Sequence, residues 1–178
     1  MKKIFKYIFA GMAAMSVVAC SEDALETSPS SSVSGNELLG TATNALVSLN
    51  GVYRAMYTAG VSNSSNTHQC FGITAYNLVA DVMGEDCIMN GQGSGWFWYD
   101  CVYNVKSRYT STGWRSYDMW NGYYTWISNV NYILAEEETM SGSETEKNYV
   151  LGQAYAVRAY SYFMVTQSYY KKVKCGKI

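Results

Sequence analysis

The chain has 178 residues, 13 basic and 14 acidic, with a formal net charge of −1. That length suits a single core of ordinary size. The balance of charge, with no basic stripe carrying interleaved rings outside the last few residues, counts against nucleic acid as a partner.

The first element is a leader over residues 1–19. Lys2, Lys3 and Lys6 stand at the start of an apolar run through Ile4, Phe5, Ile8, Phe9, Val17 and Val18, with no acidic residue before Cys20. This is the pattern of a secretory signal peptide, and it is too short for a spanning helix of ~20 residues. Val17-Val18-Ala19-Cys20 resembles a bacterial lipobox, in which the cysteine thiolate accepts lipid and becomes the new N-terminus. Cys20 is therefore the expected lipid-attachment residue, and several acyl chains give lasting attachment where one would be marginal. Ser21, Glu22 and Asp23 resemble an acidic export tag for the cell surface. Residues 20–35, with SPSSSVSG at 28–35, read as a flexible tether. The leader carries three of the 13 basic residues and none of the 14 acidic ones, so the mature chain is acidic.

Residues 36–178 form the expected folded domain. Ser34 and Glu37 fit a capping box, and Leu38, Ala42, Ala45, Leu49, Val52 and Met56 then recur at alternating spacings of four and three, predicting an amphipathic helix. Phe71, Ala75, Leu78 and Val82 predict a second helix over about 70–83, stopped at Gly84. Periodicity is lost between Glu85 and Thr112, where GQGSGWFWYDCVYN predicts a long aromatic-rich loop. Trp120, Tyr123, Ile127, Val130 and Leu134 predict a third helix. Ser143 and Glu146 open a fourth through a second capping box, and its two apolar stripes predict that it lies between neighbours. Arg158 sits within this stretch, so it is expected to be a buried structural charge met by a carboxylate, with Asp81 and Asp118 as candidates, or by helix-end carbonyls.

Trp96, Trp98 and Tyr99 are the candidate ligand-binding residues, because ring-bearing loops on rigid scaffolds carry binding contacts disproportionately. The alternative is that these rings cover the core. Gly91–Gly95 lacks the lysine and the strand-to-helix setting of a phosphate loop. A single histidine and no CxxC pair argue against zinc. No close carboxylate pair or Ser-His-Asp arrangement suggests catalysis, so no enzyme activity, cofactor or metal is expected. Cys87 and Cys101 could pair as a disulfide, which spacing alone does not decide.

Three segments together resemble the N-terminal part of the SusD/RagB family of nutrient-binding outer-membrane lipoproteins. LNGVYRAM at 49–56 is similar to the family's first helix, which follows a lipobox and a tether such as Thr27-Ser28-Pro29. WNGYYTWISNVNYIL at 120–134 is similar to its W-x-x-x-Y-x-x-I-x-x-x-N-x-I-L helix, and GQAYAVRAYSYF at 152–163 to its G-x-A-x-x-x-R-A-x-x-Y-F helix. The resemblance implies an all-α fold of stacked, tetratricopeptide-like helix pairs. It also implies a surface lipoprotein that captures oligosaccharides or other nutrients for a SusC-like TonB-dependent transporter. The rival expectation is a tetratricopeptide-like protein-interaction module that binds no sugar. After Tyr169 the basic run ending at Ile178 departs from the family pattern and looks like a truncation, which predicts an exposed apolar face on the last helix.

Overall fold

The computed structural model describes residues 38–84, 87–102 and 109–170. The leader, Cys20, the tether and the Ser34–Glu37 capping box lie outside them. The described residues are all-α, as expected, and carry no strand; Thr41 and Ser141 form an isolated parallel bridge.

Helix α1 spans Ala42–Ala55 and buries Ala42, Ala45, Leu49 and Val52. It starts later than the apolar spacing suggested. The helical turn at Leu38 and Leu39 stops at Gly40, and Thr41, in extended conformation, caps the new helix by accepting from the Asn44 N–H at 3.1 Å. Extension at Thr41 is what allows the bridge: Ala42 N–H donates to the Ser141 carbonyl and Ser141 N–H to the Gly40 carbonyl, each at 2.9 Å.

Helix α2 spans Ile73–Met83. Its cap, Gly72, has φ of +70°, and a Cβ there would lie 1.9 Å from the Met56 carbonyl oxygen. Only glycine fits a chain that turns left-handed this close to another backbone. The Ile73 N–H donates to that same carbonyl at 2.8 Å, locking the end of α1 to the start of α2.

A four-residue helix, α3, spans Trp98–Cys101 inside the expected loop and packs on α2. Helix α4 spans Trp114–Ala135, beginning six residues before the periodic apolar signal. Its first buried positions are Arg115 and Asp118, so charges stand where the stripe should be apolar. Helix α5 spans Glu144–Tyr169 from the expected capping box: the Ser143 hydroxyl accepts from Glu146 N–H and the Glu146 carboxylate from Ser143 N–H.

Helices α4 and α5 form an antiparallel hairpin. Tyr155 reaches Glu137, Arg158 reaches Asn131, and Tyr169 reaches Ser116, so one register ascends as the other descends. Helix α1 runs parallel to α5, tied by the Ser141 bridge at its start and by Tyr53 donating to Gln153 at 3.1 Å near its end. Trp126, Tyr76 and Tyr123 are the largest fully buried side chains, with ring centroids 5.1–6.0 Å apart. At Gly122 a Cβ would lie 2.2 Å from the Tyr76 hydroxyl, so glycine is what lets α2 approach α4.

Two expectations need correction. Helix α5 buries Val150, Leu151, Ala154, Val157, Ser161 and Val165, while Tyr155, Tyr162 and Phe163 are exposed; of the second stripe, Leu151, Tyr155, Ala159 and Tyr162, Leu151 alone is buried, and Tyr162 meets the edge of Tyr124, ring centroids 6.4 Å apart. Arg158 is half-buried. It follows Val157 by one position, which turns it off the buried stripe, and it donates to the Asn131 side-chain oxygen at 3.0 Å while lying over the Tyr155 ring. No carboxylate among the described residues meets it; Asp118 lies beside another arginine.

Candidate functional site

That arginine is Arg115, only 5% exposed. A buried guanidinium costs several kcal/mol, on the order of the penalty for any desolvated ion, unless its donors are met. Here Nε and Nη2 donate to the two oxygens of Asp100 at 3.2 and 2.9 Å. Nη1 donates to the Gln69 backbone carbonyl at 2.8 Å and lies 3.9 Å from Asp118 Oδ2. The guanidinium also lies over the rings of Trp114 and Phe97, at 4.3 and 5.1 Å from their centroids. One side chain thus joins the loop before α2, helix α3 and the first turn of α4.

The surrounding polar groups complete the cluster. The Tyr109 hydroxyl donates to Asp100, and the Ser62 hydroxyl donates to Asp118. Tyr76 donates to the Asp118 backbone carbonyl at 3.1 Å, and Asn121 to the Ser62 carbonyl at 2.8 Å. Burial raises the Asp118 carboxyl above its ordinary range, against the pull of Ser62, Cys70 and Arg115. Burial, and then the Asp118 charge, push the neighbouring Cys70 thiol up to about 12. The Cys70 thiol therefore stays protonated near neutrality. The cluster holds loops in place.

What it holds is aromatic. Phe97 has φ of 56°, a left-handed backbone that is costly for a ring-bearing residue. Its N–H donates to the Gln69 side-chain oxygen at 2.8 Å and its ring is buried against Phe71. Phe97 thus faces inward, while Trp96 and Tyr99 face outward. Trp96 is 51% exposed and leans on His68, ring centroids 5.1 Å apart. Tyr99 is exposed and lines an open cleft of about 370 Å³ with Trp114, Tyr109 and Thr112, floored by Asp100 and Arg115.

The three rings singled out in the sequence do not share one platform. Tyr99 faces the cleft, Trp96 stands beside His68, and Trp98 is half-buried on a separate cavity of about 550 Å³ with Val82, Cys87 and Cys101. Trp114, which apolar spacing did not reach, is the ring that joins Tyr99. Its signal lay in Arg115 and Asp118, charges three apart that continue the α4 stripe backward. Among the described residues no cluster of side chains could hold a metal ion, and no helix is long and apolar enough to cross a membrane.

A SusD-like family profile, described as starch-binding associating with outer membrane, matches residues 25–178. The chain belongs to this SusD-like family. No curated protein and no solved structure matched the chain.

Within this SusD-like chain the three motif segments have separate structural duties. In α1, Tyr53 ties to α5. In α4, Gly122, Tyr123, Trp126 and Val130 make the aromatic core. In α5, Ala154 and Val157 are buried in the hairpin, while Arg158 and Tyr155 lie on its flank. The motifs build the helical frame, and the Tyr99–Trp114 cleft lies outside all three.

Proposed function

We propose that this SusD-like chain binds oligosaccharide at the outer membrane, with the Tyr99–Trp114 cleft as the contact surface, and passes it to a SusC-like TonB-dependent transporter. Cys20 carries the lipid that holds the domain to the outer membrane, facing outward. The observation that carries the reading is the family match over residues 25–178, whose description is starch binding. The cleft suits that ligand: sugar rings present flat C–H faces that stack on aromatic rings, and Thr112 with the Tyr99 and Tyr109 hydroxyls offers hydrogen bonds at its edge. Trp96 is a second stacking surface and Trp98 a third, each apart from the cleft. The chemistry is binding without turnover.

Affinity electrophoresis through gels containing starch and a panel of other polysaccharides tests the reading. Retardation by starch or another glycan, abolished or weakened by Trp114→Ala, is expected; migration unaffected by every glycan overturns it. That outcome favours the second reading, a tetratricopeptide-like module for protein partners, to which the exposed Tyr155, Tyr162 and Phe163 of α5 lend a surface. Mass spectrometry of the mature N-terminus tests the anchor: an acylated Cys20 is expected, and an unmodified end starting elsewhere refutes it.

A further inference from the structure

We propose that Cys87 and Cys101 form an intramolecular disulfide that fastens the aromatic segment to the end of α2. Both are free thiols in this structure, and both line the same cavity, together with Val82 and Gly84 from the end of α2 and with Trp98. The local architecture brings them there from two directions. Cys87 follows Met83, the last residue of α2, by four positions, and Cys101 ends α3, which packs on α2. Bridging needs their Cα atoms within about 7 Å, a closure between two segments that already wall one cavity.

Access separates these thiols from the third described cysteine. Cys87 is exposed, and its neighbour Ile88 is 89% exposed, so an oxidant reaches this side of the cavity. Cys101 is half-buried. Cys70 is fully buried within the Arg115 and Asp118 cluster, where a reacting disulfide has no approach. In the reaction one thiolate attacks an external disulfide, such as oxidised glutathione, forming a mixed disulfide and expelling one thiolate. The second cysteine, as thiolate, then attacks the protein sulfur of that mixed disulfide, closing the Cys87–Cys101 bond and expelling the other. The two cysteines lose two electrons and two protons in all, and the external disulfide is reduced to two thiols. The closed ring contains Trp96, Trp98 and Tyr99 and restricts the conformations open to them. Persistence of the bond in the cell rests on the export reading above; its formation in solution does not.

The test incubates the purified full chain in a glutathione buffer poised at an extracytoplasmic potential and then quenches it. Free thiols are alkylated under denaturant with one reagent, and reduced thiols afterwards with a second. Peptides cut by chymotrypsin then report each cysteine separately. Cys87 and Cys101 both carrying the second label and Cys70 the first is the expected result, with the intact chain two hydrogens lighter. In Cys87→Ser, Cys101 should no longer be oxidised to an intramolecular bond and should carry the first label or a glutathione adduct. First label on both cysteines of the folded wild-type chain, or linkage of either to Cys20, Cys70 or Cys175, overturns the proposal. Since neither outcome involves a glycan, failure here leaves the binding function untouched.

Discussion

Arg115 and Asp100 meet at two points, Nε to Oδ1 and Nη2 to Oδ2, with both side chains almost wholly buried. Breaking a buried pair by removing one partner leaves an uncompensated charge. Arg115→Ala should therefore destabilise the fold by about 3–5 kcal/mol, whereas Arg158→Ala, on the flank of α5, should cost less than about 1 kcal/mol. Urea unfolding of the two variants checks the contrast, and equal losses would place the wrong arginine in the core.

Helix interiors prefer alanine to glycine by about 1 kcal/mol, yet Gly122→Ala should destabilise. Its new Cβ would lie 2.2 Å from the Tyr76 hydroxyl. Overpacking of this kind costs about 1–3 kcal/mol. In a Tyr76→Phe background the atom in conflict is gone, so the alanine should cost less there, as a double-mutant cycle measures. Gly152→Ala, with nothing within 4 Å of its Cβ on the same kind of helix, should stabilise instead.

The folded chain keeps Cys70 protonated up to about 12, above its ordinary value of 9.0. A pKa raised in the folded state means that the unfolded chain releases its proton first, so stability is intact below about 9 and falls as pH rises toward 12. Buried Tyr76 and Tyr123, also raised chiefly by burial, act in the same direction. Denaturant midpoints across that window should decline, and Cys70→Ala should decline less steeply.

Ring removal should separate the two exposed surfaces. Trp114→Ala should weaken oligosaccharide binding by about 1–2 kcal/mol, the usual cost of truncating an anchoring ring, while Trp96→Ala, beside His68 and away from the cleft, should change it by less. Titration calorimetry with a bound glycan decides between them. A larger loss at Trp96 would move the contact surface there.

The start of α5 is legible in its capping box and the buried face of α1 in its apolar spacing, whereas the start of α1 at Thr41 is not, because the spacing runs on past Gly40 to Leu38. The start of α4 was hidden because Arg115 and Asp118 occupy core-facing positions, and a charge on a buried stripe reads as a loop until its partner is known. That partner, Asp100, comes from the segment where periodicity fails, and no local pattern links the two. Arg158 has apolar neighbours in sequence, yet its position on the helix turns it off the buried stripe. The aromatic residues of the loop were visible as a class. Their separation into cleft, His68 stack and cysteine-lined cavity follows from the left-handed turn at Phe97, which no residue preference announces.

The parallel bridge between Thr41 and Ser141 has a mechanical consequence. A pull arriving along the chain ahead of Leu38 is borne first by the backbone bonds joining Gly40 and Ala42 to Ser141, and so passes into the turn of the α4–α5 hairpin before it can unwind α1. Traction applied from that end would pass into the α4–α5 hairpin at its turn, leaving the aromatic cleft at the far end of α4 outside the path of the load.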